Sequence, residues 1–247
     1  MSQPTIRKQR IRRSSVKVRL IVFGTLAVLL ILFSVFSEQL TPYDPYLQDL
    51  INAKAPPSAE HLLGTDRYGR DMLSRVIVGS RTSIFSTLLL VAVITVLGTA
   101  VGIFCGWNGR WMDTVLMRIS DMFLAFPGLV FALAVAGSLG GGLQNASIAL
   151  AAISWPKYAR IARSQTLAQK ETVWMRAAKL SGSSSGKLIF KHILPNIIGP
   201  ILVTAMLDIG TMMMELAALS FLGLGAKPPT AEWGSMMSDT RSLMTTS

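Results

Sequence analysis

Two carboxylates lie within an apolar run near the end of the sequence, where acidic side chains are unusual. Asp208 and Glu215 are seven residues apart in the stretch 197–221, so a helix there carries both on one face. A carboxylate at membrane depth is costly unless it is paired, protonated or in contact with water. With Met212 nearby, this face either lines a polar path, contacts a soft metal, or packs against a helix of a partner subunit.

Other residues with catalytic potential form no recognisable site. His61 and His192 fall in predicted loops, and Cys105 is the single cysteine, so the sequence predicts neither a catalytic dyad nor a cysteine metal cluster. The run from Gly182 to Leu188 resembles a phosphate-binding loop. That motif needs four residues between its glycines and Ser or Thr after the lysine, whereas three residues and a leucine stand here. We predict a chain that is not an enzyme and binds no cofactor or metal of its own.

The composition indicates that these residues are held by helices in lipid. Of the 247 residues, 51% are hydrophobic and 15% are charged, and the mean hydropathy is +0.47. The net charge of +11 could suggest a nucleic acid partner, but the basic residues flank apolar stretches, so no nucleic acid is predicted. Three stretches without Asp, Glu, Lys or Arg approach or exceed the roughly 20 residues that a transmembrane helix needs. They are 20–37, 82–109 and 122–156.

Five membrane spans are predicted, which gives an all-α, polytopic transmembrane helical bundle. The third uncharged stretch has 35 residues, too many for one crossing, and the glycines at 140–142 are expected to break it. The predicted spans are about 20–36, 84–106, 123–137, 145–162 and 197–221.

The distribution of charge predicts the orientation. Seven basic residues and no acid lie in residues 1–19, so the positive-inside rule places this end in the cytoplasm. Eight basic residues and one acid lie between Lys157 and Lys191, which places that segment inside as well, in agreement with four crossings. The predicted organisation begins with a basic cytoplasmic tail (1–19) and a first transmembrane helix (20–37). An extracytoplasmic segment (38–81) and a core (82–247) follow, and the core contains a cytoplasmic loop at about 163–195.

The stretch 171–195 contains two short helical patterns on either side of a glycine-containing turn. One of the serines at 183–185 is expected to cap the second helix, and Pro195 to stand in the first turn of the last span. Two short helices joined by a tight turn in this way, which we call the bracket, could transmit force. The first helix carries a small amphipathic face made of Val173, Ala177 and Leu180.

This stretch resembles the cytoplasmic loop of permeases of ATP-binding-cassette importers. The family pattern is Glu-Ala-Ala, three residues, Gly, nine residues and Ile-x-Leu-Pro, and its spacing is kept in full here. Arg176 stands where Glu is usual and His192 where Ile is usual. The matching residues are Ala177, Ala178, Gly182, Leu194 and Pro195.

The resemblance implies a type I importer permease fold and a set of partners. The loop, Arg176 included, is expected to dock on a separate ATPase subunit, which holds ATP and Mg²⁺ and offers Arg176 a compensating acid or a neutral contact. The other implied partners are a homologous second permease, an extracytoplasmic binding protein and the lipid of the cell inner (cytoplasmic) membrane. Asp208, Met212 and Glu215 become candidates for the translocation path, with contact to the second permease as the alternative.

Two further segments resemble the peptide and nickel branch of this family. The first comprises PYDPY at 42–46 and HLLGTDRYGRDMLSRVIVGSRTSI at 61–84. The second lies between Phe221 and Gly234 and contains FLGLG, PPT and EWG. The resemblance implies import of chelated nickel or of di- or oligopeptides, without separating them. Family members usually cross once more after the EWG segment, so we expect the sixth span to be missing from this chain.

The remaining alternatives are a membrane-embedded enzyme, such as an intramembrane protease, and a passive channel or scaffold. An enzyme needs a nucleophile and base or a metal cluster at membrane depth, and a channel needs no ATPase-docking bracket. In the segment before the second span, Asp66, Arg67, Arg70 and Asp71 can pair with one another, and we interpret them as a folded scaffold rather than a ligand site.

Overall fold

A computed structural model describes the backbone of residues 5–244 and the side chains of residues 16–241. This part of the chain consists of helices and connecting loops, with one isolated bridge between Thr65 and Asp71. It forms two compact units, which divide the sequence after residue 84. The α-helices are α1 (Thr5–Val35), α2 (Ser37–Leu40), α3 (Met72–Asn108), α4 (Arg110–Ala125), α5 (Gly128–Ser138), α6 (Leu143–Lys170), α7 (Val173–Leu180), α8 (Ser185–Leu188), α9 (Leu194–Phe221) and α10 (Trp233–Met244). A 3-10 helix lies at Leu50–Asn52 and a π-helix at Ile189–Ile193.

The predicted all-α membrane bundle is confirmed, but the number of spans differs from five. Three helical segments of the described chain have the length and hydropathy of a membrane span, and a fourth is counted if the bent pair α4 and α5 forms one span. The three are Val16–Val35, Met72–Asn108 and Ser185–Phe221.

The prediction of one helix over 123–137 is wrong. The chain breaks between α4 and α5, which are bent by 93° relative to each other. Phe126 is extended, with φ −93° and ψ 146°, because Pro127 disfavours the helical region for the residue that precedes it. The predicted glycine turn at 140–142 is confirmed, since all three glycines have positive φ.

The predicted span over 145–162 lies within α6, which continues to Lys170. Its 28 residues are long enough to cross a membrane, but α6 is absent from the spans found within residues 5–244. The second half of α6 is too polar for such a span, because it carries Lys157, Arg160 and Arg163.

The first unit contains α1 and the loop that precedes α3. The backbone of the basic tail is helical from Thr5 and continues without a break into the apolar half of α1. In the loop, the guanidinium of Arg70 contacts the Asp66 carboxylate at 2.6 Å, and both side chains are buried, so one of the pairs predicted among these four residues is confirmed. Asp71 instead contacts His61. Gly69 has φ +74°, and a Cβ there would lie 1.7 Å from the carbonyl oxygen of Asp49.

The core of the second unit is built around α6. This helix packs against α4, α5 and α9, and α10 packs against α9. The buried positions of α9 recur every three or four residues and form one stripe, as expected for a helix with a single packed face. They are Ile197, Ile201, Ala205, Asp208, Met212, Leu216 and Leu219, and Ser220 is buried beside the last of them.

Candidate functional site

The bracket, which we define as α7, the turn after it and α8, is shaped by its turn. The N–H of Gly182 donates to the carbonyl of Lys179 at 3.0 Å, and the N–H of Ser183 donates to that of Ala178 at 3.2 Å. These two bonds form a Schellman motif, whose left-handed residue is Gly182 with φ +78°. Glycine is required by backbone conformation, because nothing lies within 4 Å of the place of a Cβ.

The chain leaves the bracket as the sequence predicted. The Ser184 hydroxyl accepts from the N–H of Lys187 at 3.4 Å and caps α8, so one of the three candidate serines is confirmed as the cap. Pro195 lies in the first turn of α9, also as predicted. A π-helix joins α8 to α9, a form that occurs often at functional sites.

The amphipathic face of α7 points away from the protein. Val173 and Leu180 are 85% and 89% exposed, and Ala177 is exposed as well. Met175, which the sequence interpretation did not include, is the buried anchor of this helix. Exposed apolar faces of this kind mark surfaces that another protein or a membrane covers.

The two departures from the family pattern both have contacts within the chain. The guanidinium of Arg176 contacts the Glu171 carboxylate at 2.6 Å, in an exposed pair. The ring of His192 lies 5.6 Å from that of Trp174. Arg176 therefore has a compensating acid in its own chain, five residues away, which sequence reasoning did not consider.

The Asp208 carboxylate is 4% exposed and has both oxygens engaged. The ammonium of Lys157 donates to Oδ1 at 2.6 Å, and the hydroxyl of Tyr158 donates to Oδ2 at 2.8 Å. Both partners lie on α6. Asp208 thus faces a helix of its own chain, an arrangement that neither the path nor the partner-subunit interpretation had included.

The two other candidate path residues differ in exposure. Met212 is buried, and its sulfur accepts from the Ser154 hydroxyl at 3.8 Å. Glu215 lies further along the same side of α9 and is half-buried. Within the part of the chain that is described, no group of three or more His, Cys, Asp or Glu side chains could hold a metal ion.

Close contact between α3 and α6 was missed by sequence reasoning. Gly98, Gly102 and Gly106 stand one turn apart on α3, and Cβ atoms there would lie 2.3 to 2.8 Å from atoms of α6. The nearest α6 atoms belong to Trp155, Ala159 and Thr166. The spacing of these glycines is the small-xxx-small pattern that permits close helix packing in membranes, and it was available in the sequence.

Charged side chains hold α6 against its neighbours beyond the predicted span. Arg163 makes a bidentate pair with Asp113 of α4, with a distance of 2.6 Å between Nη2 and Oδ2. The ammonium of Lys170 donates to the carbonyls of Gly106 and Trp107, at 3.0 and 2.7 Å, in the last turn of α3. Burial, and next the charge of Lys179, lower the pKa of Lys170.

Comparison with known proteins identifies the family. The family model described as "Binding-protein-dependent transport system inner membrane component" matches residues 98–246, which include the bracket and the charged cluster around Asp208. The chain belongs to this family. It is therefore a permease component of a binding-protein-dependent importer, a multi-pass membrane protein of a class whose members are not themselves enzymes.

Relatives of this permease carry three different substrate names. It is 43% identical over 211 residues to the dipeptide transport system permease protein of Alkalihalophilus pseudofirmus, covering 85% of this chain and 69% of the relative. It is 39% identical over 229 residues to the nickel transport system permease protein of Escherichia coli, covering 93% and 81%. It is 38% identical over 224 residues to the glutathione transport system permease protein of Pectobacterium atrosepticum, covering 90% and 74%. The resemblance inferred from the loop pattern is thus confirmed.

Proposed function

We propose that this permease pairs with a homologous second permease and is driven by a cytoplasmic ATPase that docks on the bracket. The observation that carries the proposal is the outward face of α7, where Val173 and Leu180 are exposed beside loop residues at the family spacing. The docking residues are Arg176, Ala177, Ala178, Gly182, Leu194 and Pro195. ATP and Mg²⁺ are held by the ATPase, and an extracytoplasmic binding protein delivers the cargo.

Co-purification tests the docking surface. The double variant Val173→Ser and Leu180→Ser should lose most of the ATPase that the unchanged permease retains after solubilisation. The control is Ile51→Ser, because Ile51 is 95% exposed but lies in the other unit. Equal retention of the ATPase by the double variant and the control would refute docking through α7.

The proposed orientation places the N-terminus and the bracket in the cytoplasm of a cell whose inner membrane holds the permease. Cys105 is buried and is the single cysteine, so single cysteines introduced at exposed bracket positions such as Ser181 can be labelled selectively. An impermeant thiol reagent should react with them in inverted vesicles and not in intact spheroplasts. The opposite pattern would exclude ATPase docking on this loop.

The cargo we propose is a di- or oligopeptide or chelated nickel. Support comes from the relatives, since those named for dipeptide and nickel transport are 43% and 39% identical. The ligand held by the cognate binding protein, measured by mass spectrometry and metal analysis, separates the two. Sugar or phosphate in that pocket, with neither peptide nor metal, would overturn the assignment.

We place the Glu215 side of α9 at the translocation path. Asp208 and Met212 support that face from within, because both contact α6. Glu215→Gln should slow ATP-dependent uptake by a larger factor than Glu38→Gln, which changes an exposed glutamate of the first unit. Equal uptake by the two variants would remove Glu215 from the path.

A further inference from the structure

The last turn of α3 is held by a lysine from α6. Helix ends leave carbonyl groups without intrahelical partners, and cationic side chains near the C-terminus satisfy them. The two bonds from the Lys170 ammonium to Gly106 and Trp107 supply this cap. The backbone of Trp107 is thereby held at the end of a helix that also packs closely on α6.

The indole of Trp107 faces the bracket. The ammonium of Lys179, in the last turn of α7, lies 4.9 Å from the ring centroid, and that of Lys170 lies 5.7 Å from it. Both distances are within the range of a cation–π interaction, and Trp is the most favourable ring for it. Two ammonium groups beside one ring repel each other, so their approach is maintained by the ring and by the α3 carbonyls.

The other described contacts of α7 lead elsewhere. Two residues separate α7 from α6, Met175 packs into the core, and Trp174 contacts His192 before α9. Among the described polar and ring contacts of α7, the contact between Lys179 and Trp107 is the one that reaches α3. Met175 of α7 and Ile103 of α3 belong to the same buried cluster, so Lys179 adds a polar contact to an apolar one and limits how far α7 can tilt relative to α3.

We propose that Lys179 and Trp107 form a joint that passes the movement of α7 to α3, which makes them positioning residues for transport. The inference rests on the proposed function, since it assumes that an ATPase moves the bracket. Because α3 and α6 are in close contact through the glycines at 98, 102 and 106, the joint makes the bracket and this helix pair move together. Loss of the joint should lower the amount imported per ATP hydrolysed, because the bracket would then move without an equal movement of α3.

The test uses the complete importer with its binding protein in proteoliposomes and measures the labelled dipeptide or nickel imported per ATP hydrolysed. Lys179→Met should lower this ratio at least threefold. Lys179→Arg should retain most of the original ratio, because arginine also stacks on aromatic rings. Trp107→Leu should lower the ratio similarly, and adding Lys179→Met to it should have little further effect. The control is Lys227→Met, which removes a lysine that donates to the Gly140 carbonyl at the other end of α6. A ratio for Lys179→Met equal to that of the control would overturn the joint.

A second measurement is independent of transport. Spin labels at Asn108 and Ser181, both exposed, report the distance between the end of α3 and the turn after α7. Lys179→Met should broaden this distance distribution even without an ATPase, and an unchanged distribution would contradict the joint. If the importer without substitutions does not couple import to ATP hydrolysis, the proposed function fails. If it does import but the distance between the two spin labels is already broadly distributed without Lys179→Met, only the joint is rejected.

Discussion

The ammonium nitrogen of Lys157 lies 2.6 Å from Oδ1 of Asp208, which joins α6 to α9 by an ion pair in the second unit. Asp208 is buried and Lys157 is half-exposed. A carboxylate in an apolar span is costly when it is unpaired, so the lysine makes this acid tolerable. Removal of one partner should therefore cost more than removal of both.

Lys157→Met should destabilise the permease by about 2 kcal/mol, because it leaves the Asp208 charge without its cation. The double variant with Asp208→Asn should recover part of this loss, since the amide can still accept from Tyr158. Thermal unfolding in detergent measures both effects. Strict additivity of the two substitutions would show that the ion pair does not couple the helices.

Gly102→Ala should destabilise the permease by about 1–3 kcal/mol, because the added Cβ would lie 2.3 Å from the carbonyl oxygen of Ala159. Gly24→Ala is the matched control, since Gly24 is also helical but has nothing within 4 Å. It should be neutral or stabilising by up to about 1 kcal/mol, as helix propensity predicts. Unfolding midpoints of the two variants decide the matter, and equal midpoints would contradict close α3–α6 packing.

Gly182→Val should strain the turn of the bracket, because valine disfavours a φ of +78°. We expect ATP-dependent uptake and ATPase retention to fall together by several-fold. Gly186→Val is the control, as Gly186 lies in α8 with ordinary φ and open surroundings. Full uptake with Gly182→Val would mean that the Schellman turn is not needed for docking.

Arg163→Lys should cost about 1 kcal/mol, because lysine cannot reproduce the bidentate contact with the half-buried Asp113. Arg160→Lys is the comparison, since Arg160 pairs with Asp121 at an exposed position where ion pairs contribute little. Chemical unfolding of the two variants should rank them in this order. The reverse order would show that exposure does not govern the strength of these pairs.

Acid should remove the contribution of Asp71 to stability. Burial raises the pKa of this carboxyl, but donation from the Ser74 hydroxyl and N–H, with a contact from His61, outweighs burial and leaves the pKa below its ordinary value. A lowered pKa in the folded state stabilises the protein above the ordinary value, and this stabilisation is lost as the pH falls towards the folded pKa. The difference in melting temperature between the unchanged protein and Asp71→Asn should therefore shrink below about pH 4. A difference that is constant from pH 3 to pH 7 would exclude this linkage.

The sequence predicted those features that depend on local spacing. The cap at Ser184, the proline in the first turn of α9 and the glycine turn at 140–142 follow from the conformational preferences of single residues, and each is confirmed. The break at Phe126 also had a local signal in the following proline, but the uncharged run around it favoured one helix. A hydropathy pattern alone does not register such a break.

Long-range partners could not be predicted in the same way. Lys157 is 51 residues from Asp208, and Asp113 is 50 residues from Arg163, so the sequence gives each charge without its partner. Arg176 illustrates the limit at shorter range, because an acid or a neutral contact on a partner was expected and Glu171 lay five residues away. Only the packing of α4, α6 and α9 determines which acids and bases meet.

The glycines of α3 have a consequence for the route of the cargo. Because even one added methyl group would clash with α6 at three successive turns of α3, no peptide, hydrated ion or lipid tail can pass between these helices there. The seam is sealed over about 12 Å, given a rise of about 1.5 Å per residue. A solute that crosses the membrane beside this subunit must follow one of its other faces.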